Sequence, residues 1–281
     1  MTTAFVLSGG ASLGSIQVGM LVGLAEAGIT PDLIVGTSVG AVNGGWVASR
    51  PDVGGVGALA DLWRSLSRDD IFPTRPIVGL LGFLGWRSHL VPATGLRRVL
   101  SDNLQFALLE DAPIPLHVVA TDVLSGQDAM LSSGDAVDAV AASAAIPGIF
   151  PPVVINGRAL VDGGVVNNTP LSHAVALGAD VIWVLPTGYA CALPQAPKGA
   201  LAMALHALSL ALNQRLAADV ARFEAAVDLR VVPPLCPLGV SPIDFTHTAQ
   251  LIERSHATTR AWLAARHPVT GQAALLAPHR H

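Results

Sequence analysis

Charge is scarce in this 281-residue sequence: Asp, Glu, Lys and Arg make up 13% of it, against 51% hydrophobic residues. No basic residue precedes Arg50, the sixteen present are dispersed, and the formal net charge is −4. Without a stripe of Lys and Arg to track a phosphate backbone, nucleic acid is excluded as an expected partner. Cysteine is rarer still. Cys191 and Cys236 form no CxxC pair, so neither a zinc knuckle nor a disulfide framework is implied, and two ordinary thiols in a reducing, cytoplasmic compartment are expected. No positively charged leader opens the chain; Ala4–Leu7 runs straight into Ser8-Gly9-Gly10, unlike a signal peptide. The apolar stretches 77–86 and 200–212 fall short of the about 20 residues that span a bilayer. A soluble protein is expected, its apolar composition leaving room for peripheral membrane contact. No His/Asp/Glu cluster has ligand spacing, so neither a metal nor another cofactor is expected.

A chain of this length can bury roughly 75% of its unfolded surface without staples, and no repeat or low-complexity linker divides it. Phe5–Leu7 reads as a buried strand ending in glycines. Ile16, Met20, Leu21 and Leu24 fall at helical spacing, with Gly28 as a C-cap. Leu33–Val35 is the next strand, and an apolar helix follows through Val47. Strand-like runs return at Leu116–Ala120, Ala129–Leu131, Val153–Ile155, Val181–Leu185 and Leu229–Val232, with a helical pattern from Asp135 to Ala142. Two long helical runs, about 199–227 and from near Thr246 through Trp262, fill the last third, and the tail 277–281 is expected to fray. Strand–helix alternation predicts an α/β fold: three layers, α/β/α, around a mainly parallel sheet. We expect one domain over 1–281, with a motif-bearing core at about 4–190 and a helix–strand–helix portion at about 198–266. Residues 71–100 mix proline, glycine and apolar residues without period. They read either as a packed connector or as a mobile apolar lid over a lipid cleft.

Three glycine-flanked turns carry the chemistry. Gly36-Thr37-Ser38-Val39-Gly40 is a G-x-S-x-G between a strand and a helix, the context in which a serine is exposed on a strained elbow as a nucleophile. Ser38 could otherwise be a plain N-cap between packing glycines. Ser8-Gly9-Gly10-Ala11-Ser12-Leu13-Gly14 is a second such turn, able to present backbone N–H groups to a phosphate or an oxyanion. It lacks the G-x-G-x-x-G spacing, and the next strand ends in no acidic residue, which argues against a dinucleotide. An oxyanion hole drawn from Gly9, Gly10, Ala11 and Ser12 fits better, because adjacent parallel strands bring both turns to one sheet edge. The third turn is Val161-Asp162-Gly163-Gly164, after Asn156-Gly157. Taken alone it is an ordinary Asp-Gly turn; beside the other two it supplies the base that a serine needs.

The ordered set resembles the patatin-like phospholipases, as do the flanking words Gln17-Val18-Gly19-Met20-Leu21, Ala142 through Pro152, Asn167-Asn168-Thr169-Pro170 and Leu251-Ile252-Glu253-Arg254. The resemblance covers most of the chain. It implies a lipid acyl hydrolase acting on an acyl ester such as a phospholipid, lysophospholipid or glyceride. Ser38 would form an acyl-enzyme, Asp162 would be the base of a Ser–Asp dyad, and Gly10 and Ala11, with Ser12, would stabilise the oxyanion. Members commonly carry G-G-G-x-R-G in the first turn; here Ala11 and Leu13 stand at the third glycine and the basic residue. Two other readings stay open. His117 or His173 could complete a Ser-His-Asp triad of the α/β-hydrolase type, although one strand alone precedes the Ser38 strand. Leu13 would also suit a non-catalytic lipid-binding or regulatory protein on the same fold.

Overall fold

The computed structural model describes residues 1–73, 88–188, 195–236, 238, 240–265 and 276. The predicted alternation is present. β1 (Thr3–Leu7) leads through a glycine-rich turn to α1 (Gly14–Glu26), and β2 (Leu33–Thr37) leads to α2 (Val39–Ser49). Next come α3 (Val53–Ser65), the short α4 (Arg68–Ile71), α5 (Thr94–Asn103), β3 (Leu116–Asp122), β4 (Asp128–Leu131) and α6 (Ala136–Ser143). The hairpin β5 (Val153–Ile155)–β6 (Arg158–Asp162) precedes α7 (Leu171–Ala176), β7 (Val181–Leu185), α8 (Ala200–Phe223), β8 (Asp228–Val231) and α9 (Thr248–Ala264).

The eight strands form one sheet in the order β5-β6-β3-β2-β1-β7-β8, with β4 also on β3. Contacts among β3, β2, β1, β7 and β8 are parallel, and those of β4, β5 and β6 are antiparallel. β1 is buried on both faces because alternate residues feed two cores. Phe5 and Leu7 pack with Ile16, Leu21, Leu59 and Leu251 under α1, α3 and α9. Ala4 and Val6 pack with Leu171, Leu216 and Val220 under α7 and α8. Apolar burial on both faces is what a parallel sheet between helix layers requires.

The register at β3 positions the site. Val118 pairs with Gly36 of β2 and with Leu131 of β4, whereas Ala120 pairs with Ala129 of β4 and with Asp162 of β6. Since β4 holds one flank of β3 from Val118 to Thr121, β2 and β6 share the other and meet end to end. Asp162 thus occupies the register place that β2 would reach if it continued past Thr37. Asn156 and Gly157, both at positive φ (51° and 76°), close the β5–β6 hairpin in the turn that an Asn-Gly pair favours.

Some expectations are corrected. Part of 71–100, the segment read as a connector or a lid, is the amphipathic helix α5, missed because prolines and glycines upstream obscured its period; residues 74–87 of that segment lie outside the described residues, as does the tail 277–281. Cys236 is disulfide-bonded and no cysteine among the described residues is free, so it is not the ordinary thiol expected. Widely separated cysteines leave no local pairing signal, and the reducing compartment inferred from them loses that support. Cys191 lies outside the described residues. Among these no helix is long and apolar enough to cross a membrane.

The C-terminal helix is fastened to the core at a glycine. A Cβ at Gly19 of α1 would overlap Ser255 Oγ and the Ile252 carbonyl of α9, so Gly19→Ala must push the helices apart. Overpacking of this kind costs about 1–3 kcal/mol. Differential scanning calorimetry should find the variant's Tm lower by several degrees; an unchanged Tm would contradict this packing.

Candidate functional site

Ser38 lies where β2 gives way to α2, with φ 55° and ψ −124°, a backbone state that a side chain bearing Cβ seldom adopts. Its carbonyl accepts from the N–H groups of Ala41 and Val42 at 2.9 and 3.2 Å, which starts α2. A Cβ at Gly40 would strike the Leu7 carbonyl, so glycine there lets the elbow sit against the end of β1. The hydroxyl of Ser38 donates to Asp162 Oδ2 at 2.6 Å.

Asp162 ends β6 and is itself buried. Its other oxygen, Oδ1, accepts the Gly164 N–H at 2.7 Å, while its own N–H donates to the Ala145 carbonyl at 2.9 Å. Burial, opposed by the hydrogen bonds from Ser38 and Gly164, raises its pKa from the ordinary carboxylate value to about 6. The carboxylate is therefore charged at neutral pH and more basic than usual, with one oxygen fixed and the other on the serine.

The first turn sits beside this pair. Gly9 is clamped: its N–H donates to the Asn168 carbonyl at 3.0 Å and its carbonyl accepts from Thr187 Oγ1 at 2.7 Å. The Ser12 N–H donates to the Pro242 carbonyl at 2.9 Å. Two of the four expected oxyanion donors are thus engaged, and the Gly10 and Ala11 N–H groups have no acceptor among the described residues. Ala11 takes φ 50°, the left-handed region for which glycine is the easier residue. Beneath the turn runs a buried amide network that sequence reasoning missed. Gln17 Nε2 donates to the carbonyls of Ser8 and Leu185, Asn43 Nδ2 donates to the Gly14 carbonyl and to Gln17 Oε1, and Trp63 Nε1 donates to Asn43 Oδ1. Gln17 stood in a quoted word, but nothing local marked Asn43 or Trp63 as its partners. Leu13 is buried in the core, so no charge occupies the place of the basic residue expected from the resemblance.

Ser38 and Ala11 border a cavity walled mainly by apolar side chains, among them Val42 and Trp46 of α2, Leu59 and Trp63 of α3, and Leu100 of α5. Phe245, from the segment before α9, completes the wall and stacks on Trp63 with ring centroids 6.2 Å apart. Among the described residues no lining side chain is charged. The predicted histidines lie elsewhere. His117 Nδ1 bonds to Ser132 Oγ at 2.7 Å, and His173 Nε2 to Asp128 Oδ2 at 2.8 Å. Among the described residues no group of His, Cys, Asp and Glu could hold a metal ion.

The family model described as "Patatin-like phospholipase" matches residues 5–175. "Lysophospholipase nte1" of Aspergillus terreus is 30% identical over 195 residues, which are 66% of this chain and 12% of that protein. "Patatin-like phospholipase domain-containing protein 7" of Rattus norvegicus is 30% identical over 191 residues, 66% of this chain and 13% of that protein. The chain therefore spans a small part of the length of these relatives. Among solved structures, VipD from Legionella pneumophila aligns with a TM-score of 0.51 over 94% of this chain and 67% of that one. At 15% identity this is a likeness of fold.

The raised pKa of Asp162 has a consequence for stability. Its folded value of about 6 exceeds the unfolded 3.8, so between these pH values the folded state binds more protons, and stability falls as pH rises. The contribution is fully present below about 3.8 and lost above about 6, a difference on the order of 3 kcal/mol. Asp162→Asn keeps an acceptor for Gly164 without the buried charge. Thermal unfolding should find it at least as stable as wild type at pH 8, with that advantage gone at pH 4. A variant clearly less stable than wild type at pH 8 would show the charge to be better compensated than its surroundings indicate.

Proposed function

Because this chain belongs to the patatin-like phospholipase family, we propose that it is a lipid acyl hydrolase, cleaving carboxylic esters through an acyl-enzyme on Ser38 with Asp162 as base. The observation that carries this reading is the 2.6 Å hydrogen bond from Ser38 to Asp162 beside an apolar cavity. In the first half-reaction Ser38 Oγ attacks the ester carbonyl carbon and its proton passes to Asp162 Oδ2. The oxyanion develops toward the N–H groups of Gly10 and Ala11, which have no acceptor among the described residues and whose loop is already held by Gly9 and Ser12 and so needs little rearrangement. As the tetrahedral species collapses, the alcohol leaves with the proton from Asp162. In the second half, water takes the alcohol's place, gives a proton to Asp162 and attacks the acyl-enzyme, and Ser38 recovers its proton as the acid departs.

A carboxylate with a pKa of about 6 is a better base than an ordinary one and stays ionised at neutral pH. The cavity suits an acyl chain, each buried methylene contributing about 0.8 kcal/mol. Its uncharged walls and the buried Leu13 give an anionic headgroup no cation in the acyl pocket, so the reading commits to the acyl ester and not to a headgroup. The same reading treats 1–281 as one domain, since Phe245 from beyond the matched region walls the cavity, and it places the enzyme in peripheral contact with lipid surfaces. A triad is disfavoured because His117 and His173 have other partners.

A fluorophosphonate probe should label wild type and not Ser38→Ala. Absence of labelling, with no turnover on a panel of p-nitrophenyl esters, phospholipids, lysophospholipids and glycerides, would favour a lipid-binding protein instead. Asp162→Asn should lower kcat by roughly 10²–10⁴, while His117→Ala and His173→Ala should retain activity; abolition by either would revive the triad. The base must be unprotonated, so kcat/KM should be flat above pH 7 and fall tenfold per pH unit on an acid limb centred near 6. An acid limb near pH 4 would mean that another group limits the rate. Ala11→Gly keeps the N–H and relieves the positive φ, and should hold kcat/KM near wild type.

A further inference from the structure

We propose that Ser143 is a positioning residue for the dyad, holding the strained elbow of Ser38 in register with Asp162; this rests on the acyl-hydrolase reading above. Ser143 closes α6 and is fully buried, at 0% exposure. Its Oγ accepts the Ser38 N–H at 2.8 Å and donates to the Val119 carbonyl of β3 at 2.6 Å. The hydroxyl's one proton is committed to β3, which fixes the direction of the lone pair that meets Ser38.

The elbow needs such a hold. Past Thr37 the flank of β3 belongs to β6, so the Ser38 amide has left the sheet ladder, and its backbone sits at φ 55°. Unfavoured backbone states persist where the surroundings over-determine them. On the carbonyl side α2 does this, through Ala41 and Val42; on the amide side the hold is the Ser143 hydroxyl. Two residues on, the Ala145 carbonyl accepts the Asp162 N–H at 2.9 Å. One three-residue segment therefore grips the amides of both dyad members, and its serine is tied to the strand against which Asp162 is registered. Ser143 touches no reacting atom. Its effect is on the orientation of Ser38 Oγ, where displacement of a reacting group on the ångström scale costs up to about 10²-fold in rate.

The test compares wild type, Ser143→Ala and Ser143→Cys after titrating reactive Ser38 with a fluorophosphonate probe, so that kcat refers to competent sites. For Ser143→Ala we expect kcat per titrated site on a p-nitrophenyl ester to fall about 10–100-fold. KM should stay within about twofold, because substrate contacts are intact. The acid limb of kcat/KM should remain near pH 6, because the surroundings of Asp162 are unchanged. A merely structural role would reduce the number of titratable sites and the Tm, leaving kcat per site at the wild-type value, and that result would overturn the proposal. Should Ser143→Ala not accumulate as folded protein, Ser143→Cys carries the test. Similar in size and a weaker acceptor, it should give an intermediate loss per site, and an undiminished kcat would again overturn the assignment. If wild type is not labelled at Ser38, the acyl-hydrolase reading itself fails and the proposal falls with it.

Discussion

The Ser38–Asp162 hydrogen bond exists because two strands approach the same flank of β3 from opposite directions. β2 arrives in parallel and stops at Thr37; β6 arrives antiparallel and stops at Asp162, one register position further on. Neither strand can extend without displacing the other, so each chain must turn away at the junction. The turn out of β2 is the elbow that sets Ser38 against Asp162, and the turn out of β6 carries Gly163 and Gly164, the latter's N–H holding Asp162 Oδ1. The geometry of the pair is thus a property of sheet topology, imposed by backbone ladders on residues 124 positions apart in sequence.

The cost of this arrangement falls on the carboxylate. It is buried against a serine and one backbone N–H, with no cationic partner among its hydrogen bonds, and this insufficient compensation raises its pKa to about 6. The feature that weakens the fold at neutral pH also makes the group more basic than an ordinary carboxylate. An arginine beside Asp162 would remove the instability and the basicity together. The scarcity of charge along the chain and the apolar lining of the cavity are consistent with that constraint, since both keep the local dielectric low.

How much of this could be read in the sequence depended on the range of the interaction. The G-x-S-x-G elbow, the glycine-rich turn and the Asn-Gly hairpin are local, and glycine placement against short apolar runs was enough to find them. The three-layer architecture followed from strand–helix alternation. The end-on meeting of β2 and β6 left no local signature, and Asp162 stood out through its order relative to the other turns. Gly9 and Ser12 illustrate the limit: all four loop N–H groups look equivalent in sequence, and it is the carbonyls of Asn168 and Pro242, far along the chain, that engage two of them among the described residues. Ser143 lay within a recognised word yet carried no sign of its role, because a buried hydroxyl bridging two backbones has no periodicity to betray it.

The C-terminal portion shows why the matched region 5–175 is an incomplete description of the site. α9 docks on α1 through Gly19, and the chain entering α9 passes over the first turn, where the Pro242 carbonyl takes the Ser12 N–H and Phe245 closes the cavity wall. A single excursion of backbone therefore steadies the first turn and shapes the space beside it. The cavity wall and the geometry of the first turn are coupled through the two residues between Pro242 and Phe245, too short a distance for one to relax without the other. Variation in this segment would consequently alter the cavity wall and the first turn together, whereas the Leu216–Val220 side of the sheet packs in the other core, away from both.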